Sequence, residues 1–156
     1  MAEPFEKLVL WQRAMRLVDA LYAVTDTLPA DEKTNLSATL RKTVLGLPGR
    51  VADAGSQADL VAAADALEGC RGDVRTLETG LAMARRLRYI RWSTRRRLQR
   101  QLDRFVRLLD RDIQRLRATS SGDQASTVGP AEDLPPMTSA LRYEFRRSRS
   151  ASAATR

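Results

Sequence analysis

Residues 57–87 read QADLVAAADALEGCRGDVRTLETGLAMARRL, and two rows of apolar and small residues run through them seven apart. Leu60, Leu67, Val74 and Leu81 form one row; Ala63, Cys70, Leu77 and Ala84 form the other. Seven residues are close to two helical turns, so both rows lie along one side of a helix and make a seam that packs against other helices. The spacing predicts a helix over 57–87, with Gly55-Ser56 as the break before it and Ser56 as its N-cap candidate.

A seam of this kind needs partners, and the flanking sequence supplies three. Upstream, Phe5, Leu8, Trp11/Gln12, Met15, Val18/Asp19 and Tyr22, joined by Leu17, Leu21, Val24 and Leu28, recur at helical spacing and predict a first helix over 4–28. Leu36, Leu40, Val44, Leu47, Val51 and Ala54 predict a second helix over 30–55, starting after Pro29 with Asp31-Glu32 near the positive end of its dipole. Pro48 lies inside it. A proline removes one backbone hydrogen bond and crowds the carbonyl four residues back, yet the apolar phase passes through unbroken, which favours one bent helix over a loop. Downstream, Leu98, Leu102, Phe105, Leu109, Ile113 and Leu116 predict a fourth helix over 94–117, capped by Ser93-Thr94. Beyond it, residues 118–156 are rich in Ser, Ala, Thr, Gly and Pro and are expected to be a disordered tail. Within the tail, Leu141–Arg147 is a segment that could order on a partner, against the plainer reading of a solvated tail. Four amphipathic helices with short links and no alternating pattern imply an all-α fold, an antiparallel up-down four-helix bundle over 4–117.

Composition narrows the function. The chain has 156 residues, 43% of them hydrophobic and 5% aromatic, with a mean hydropathy of −0.39: enough for one core and neither a membrane protein nor a wholly disordered chain. It contains no His, which excludes imidazole bases, His-ligated metals and Ser-His or Cys-His nucleophile pairs. No cofactor or metal is expected, nor is an enzyme. One cysteine allows no internal disulfide, and neither a signal segment nor a membrane-spanning run is visible, so the expected compartment is the cytoplasm.

The opening Phe5, Leu8, Trp11-Gln12, Ala14, Leu17, Tyr22, Thr25, Pro29 and Glu32 resembles, in residues and in spacing, that of a bacterial family of four-helix-bundle proteins. The family was first noted as open reading frames in intervening sequences of large-subunit ribosomal RNA. Its Leu-Arg-Arg-Ala, Ser-Ile-Pro and Asn-Ile-Ala-Glu-Gly motifs are similar to Leu40-Arg41-Lys42-Thr43, Gly46-Leu47-Pro48 and Arg50-Val51-Ala52-Asp53-Ala54; its Gly-Ser followed by Leu-Glu is similar to Gly72-Asp73 with Leu77-Glu78. The chain departs from the pattern at Thr43 (Ala in the family), Arg50 (Asn), Asp53 (Glu), Ala54 (Gly) and Asp73 (Ser). The resemblance covers residues 5–117. It implies a homo-oligomer, often a pentameric ring, and includes the accessory variability determinant of diversity-generating retroelements, a basic protein that acts with a reverse transcriptase and its template RNA.

The sharpest functional feature is where the charge sits. The net charge is +8, but residues 1–84 hold 9 Lys+Arg against 12 Asp+Glu, whereas residues 85–117 hold 13 Arg against 3 Asp. At about 100° per residue, Arg97, Arg100, Arg104, Arg107, Arg111 and Arg115 fall within about 80° of one another, opposite Leu102, Phe105, Leu109, Ile113 and Leu116. Arg95 and Arg96 join Arg97 at the helix start, where cations oppose the dipole by about 0.3–1 kcal/mol each. Such a stripe suits phosphates, which guanidinium groups hold by charge-assisted, bidentate contacts. The plainer alternative is a solvated outer face, since 24 of the 27 basic residues are Arg, as a GC-rich genome would produce. Pairing with an acidic protein is a third reading.

Other candidates have plain structural explanations. Tyr89 and Trp92 could stack on a base, but plugging the bundle end between helices 3 and 4 is the more economical role. Cys70 at a seam position reads as an inert buried thiol. Arg71 and Glu78 read as members of an inter-helix or inter-subunit salt bridge. The expected function is that of a non-enzymatic, homo-oligomeric, nucleic-acid-binding accessory, with RNA ahead of DNA on the resemblance alone. A protein-interaction module whose basic face serves solubility is the alternative.

Overall fold

The structure, a computed structural model, describes residues 8–125. Among them are four α-helices and no strand: α1 (Val9–Thr25), α2 (Leu36–Ser56), α3 (Leu60–Arg86) and α4 (Trp92–Ala125), with one 3-10 turn at Ala30–Glu32. Packing runs around the ring α1·α2, α2·α3, α3·α4 and α4·α1, the last contact being the smallest of the four. This is an antiparallel four-helix bundle. The expected helix start at residues 4–7 and the tail from 126 onward, including Leu141–Arg147, lie outside the described residues.

The heptad rows of α3 are its buried face from the second member on: Ala63, Leu67, Cys70, Val74, Leu77, Leu81 and Ala84 all pack into the core, while Leu60, at the first turn, is half-buried. In α2 the helix runs through Pro48, which is itself buried between Val44, Leu47 and Val51. A contiguous apolar face holds the helix together across the missing bond, because in a bundle most helical stability comes from packing. In α1 the inward face is Leu10, Ala14, Leu17, Leu21 and Val24, while Trp11 and Tyr22, prominent in the sequence pattern, are only partly buried at its flank.

Several ends differ from expectation, each for a local reason. The second helix does not start at residue 30; the chain makes a separate 3-10 turn and α2 begins at Leu36, where the Glu32 carboxylate accepts from Leu36 N at 3.3 Å. Asp59, not Ser56, caps α3, accepting from the amides of Val61 (3.1 Å) and Ala62 (3.4 Å), and Ser56 is the last residue of α2. A carboxylate at this position satisfies two orphan amides and meets the positive end of the dipole. The fourth helix starts at Trp92, before Ser93-Thr94, and continues to Ala125 rather than ending near 117. Between α3 and α4, Arg88 takes the left-handed conformation (φ 61°), Tyr89 N donates to Ala84 O at 2.9 Å, and Arg88 N to Arg85 O at 3.1 Å. That pair of bonds stops α3 and reverses the chain within a few residues.

Two glycines of α3 make opposite demands. A Cβ on Gly80 would stand 2.7 Å from Leu40 Cδ2 and 3.4 Å from its Cγ, and Leu40 is 1% exposed with no room to withdraw; a Cβ on Gly72 would meet nothing within 4 Å. Gly72→Ala is therefore expected to stabilise the fold by up to about 1 kcal/mol through helix propensity. Gly80→Ala is expected to destabilise it, because about 1–3 kcal/mol of overpacking outweighs the same propensity gain. Urea denaturation of the two variants checks the difference in sign.

Candidate nucleic-acid interface

On α4 the core side is Leu98, Leu102, Phe105, Leu109 and Ile113, all fully or almost fully buried. Across the helix, Arg96, Arg97, Arg100, Arg104, Arg107 and Arg111 are exposed and Arg115 is half-buried. The predicted stripe thus lies on the outward face, with Arg96 flanking it. Arg95 does not belong to it. Its position falls on the core side at the bundle end, where it is half-buried and its Nε is enclosed without a hydrogen-bond partner. The run Arg95-Arg96-Arg97 spans most of the helix circumference, since each residue advances about 100°.

Among the described residues, none of these eight arginines has a carboxylate within 4 Å; the ion pairs are made instead by Arg41, Arg50, Arg71 and Arg117. The three aspartates of α4 that lie between the arginines of the stripe, Asp103, Asp110 and Asp112, are engaged elsewhere or held back from it. Asp110 pairs with Arg71 on α3 at 2.8 Å, and Asp103 accepts from Gln99 at 3.1 Å. Asp112 is drawn toward the interior, where burial pushes its carboxyl above the usual range while Arg115 and Arg111 pull it back down. Arg115 Nη1 is buried with no hydrogen-bond partner. A guanidinium nitrogen enclosed without a hydrogen-bond acceptor favours any anion that reaches it.

The stripe is also not confined to α4. Arg13, Arg16, Asp19, Ala20 and Ala23 of α1 and Arg97, Gln101 and Arg104 of α4 line one groove of about 540 Å³. It lies where α1 and α4 make the loosest of the four helix contacts, with the small residues Ala20 and Ala23 on its α1 wall between the helices. Four arginines against one aspartate leave it strongly positive. The sequence pattern did not identify Arg13 and Arg16. The available signal was their spacing of three on the polar side of α1, which becomes informative only once α1 and α4 are known to be neighbours.

The remaining candidates resolve as structure. Cys70 is fully buried, and burial, reinforced by the Asp73 carboxylate and opposed by Arg50, pushes its thiol up to about 11, so it is no nucleophile. Arg71 bridges Glu68 (2.6 Å) on its own helix and Asp110 on α4, while Glu78 accepts from Gln99 at 2.7 Å rather than from an arginine. Arg50 and Asp73, two positions where the chain departs from the family pattern, bond to each other across α2 and α3 at 2.8 Å. Tyr89 does close the bundle end, half-buried and donating to Glu32 at 3.1 Å; Trp92 does not, since 56% of it is exposed. The expectation that both plug the core fails for Trp92 because Ile90, 6% exposed, takes that place.

Among the described residues no helix is long and apolar enough to cross a membrane, and no group of three or more His, Cys, Asp or Glu side chains is placed to hold a metal ion. The family model described as 23S rRNA-intervening sequence protein matches residues 6–111. No curated protein matches the chain.

Proposed function

The chain belongs to the 23S rRNA-intervening sequence protein family, and from that membership and the arginine surface we propose that it is a non-enzymatic accessory protein that binds RNA through the α1–α4 groove and the outer face of α4. The observation that carries the reading is a row of exposed arginines on α4 with no carboxylate within 4 Å among the described residues. Like charges held together at a local cost make sense when an outside anion completes them. The proposal includes assembly into a homo-oligomer, a pentameric ring by resemblance, which would present several copies of a modest site to one strand. The resemblance makes a reverse transcriptase working on template RNA the protein partner to look for. Contacts of this kind hold phosphates and read no bases, so affinity should fall steeply with salt and vary little with sequence.

The test replaces Arg100, Arg104 and Arg107 together by Gln. RNA retained on a filter at low salt should drop at least about tenfold in affinity. The slope of log affinity against log salt should flatten by about 2, because each single-strand phosphate that an arginine neutralises accounts for about 0.7 of it. Unchanged retention would instead favour the protein-interaction module, in which the charge serves solubility.

A further inference from the structure

Trp92 opens α4 with 56% of its surface in water, although the turn before it already closes that end of the bundle with Ile90 and Tyr89. An indole that the core does not need is apolar area left uncovered. Its setting is specific. The guanidinium carbon of Arg96 stands 4.9 Å from the ring centroid, a cation–π contact that steadies the ring and covers one face. Arg96 and Arg100, four and eight residues on, lie within about 80° of Trp92 around the helix and are both exposed on the outer face of α4, the start of the arginine row. An aromatic platform therefore stands at one end of a guanidinium-lined track.

We infer that Trp92 stacks on an unpaired base of an RNA strand whose phosphates lie along that track, so that the ligand class is single-stranded RNA or an unpaired loop rather than an uninterrupted duplex. The inference rests on the RNA-binding reading above and sharpens it. In a duplex the bases are stacked on one another and offer a side chain only backbone and groove edges; a single strand offers a free π-face at every nucleotide, and stacking on it tolerates any base. Phosphate binding alone would not separate the two forms. The Trp92 ring would, and it sits where a strand held by Arg100 and Arg107 on the outer face reaches the start of α4.

The experiment uses the full chain with a labelled 12-nucleotide oligouridine and a 12-base-pair RNA duplex, read by fluorescence anisotropy and by intrinsic tryptophan emission. The single strand should bind at least tenfold tighter and quench the emission. Trp92→Ala should lower affinity for the single strand about tenfold and leave the duplex affinity unchanged. Trp92→Phe should keep most of the affinity while abolishing the quench, because Trp11, packed against the core, remains. Equal affinity for the two RNAs with a steep salt slope would overturn the stacking role and leave the phosphate-binding reading standing. So would a Trp92→Ala variant that changes the solution mass of the protein but not its RNA affinity. Failure of both RNAs to bind at low salt would remove the RNA-binding reading itself.

Discussion

Arg97→Glu with Arg104→Glu is expected to weaken RNA binding on the order of a hundredfold at 0.1 M salt, whereas Lys42→Glu with Arg75→Glu is expected to change it only a few-fold. Both pairs alter the formal charge of +8 by the same amount. The difference is place. Arg97 and Arg104 line the groove with Arg13 and Arg16, so reversing them puts carboxylates beside the two remaining guanidinium groups and turns a cradle for phosphate into an internally neutralised patch. Lys42 and Arg75 are exposed on α2 and α3, away from that groove. Charged hydrogen bonds contribute about 1.5–3 kcal/mol each, and removing two of them at the lower, solvent-exposed end of that range gives the stated factor. Long-range attraction, which net charge governs, is screened within about 10 Å at 0.1 M salt. Anisotropy titrations of the two double variants at several salt concentrations check this. Equal losses of affinity would mean that the protein acts as a diffuse polycation and that the groove has no special part.

How much of this is legible in the chain depends on range. The rows of α3 and the unbroken phase through Pro48 are legible, because a periodic pattern of 20 or more residues outweighs one unfavourable position. The outward face of α4 is legible for the same reason: its arginines and its leucines repeat at the same helical spacing, half a turn apart. Helix ends are less so. Ser56 and Asp59 are both acceptable caps, and what decides between them is where α2 stops, a question of packing rather than of local preference. Adjacency in sequence groups Arg95 with the stripe, whereas its angular position places it with Leu102 and Ile113. The groove is not legible at all, since Arg13 and Arg97 are 84 positions apart and meet only because the bundle closes through α1 and α4. The Arg50–Asp73 bond has the same character. Each substitution alone looks like a missing signature residue, and together they form one cross-link between α2 and α3.

Phe105→Ala is expected to cost about 3–5 kcal/mol of stability, far more than any of the surface substitutions, and to leave the affinity of the folded protein for RNA unchanged. Phe105 is fully buried and is the largest wholly enclosed side chain among the described residues. It lies on α4 opposite the stripe, packed among Leu98, Leu102 and Leu109 of its own helix. Against a total stability of about 5–15 kcal/mol for a domain of this size, such a loss brings the bundle near its unfolding threshold, whereas Phe105→Leu, which keeps most of the volume, should cost no more than about 1.5 kcal/mol. The arginine variants should do the reverse. Removing like charges from the outer face relieves repulsion, and at Arg97 it relieves opposition to the helix dipole, so Arg97→Gln should hold or raise the melting temperature at low salt while it lowers RNA affinity. Thermal denaturation and RNA titration on the same samples separate the two sides of α4. If Phe105→Ala reduced RNA affinity by more than the unfolded fraction explains, binding would depend on the interior of the bundle and not on the surface charge of one helix.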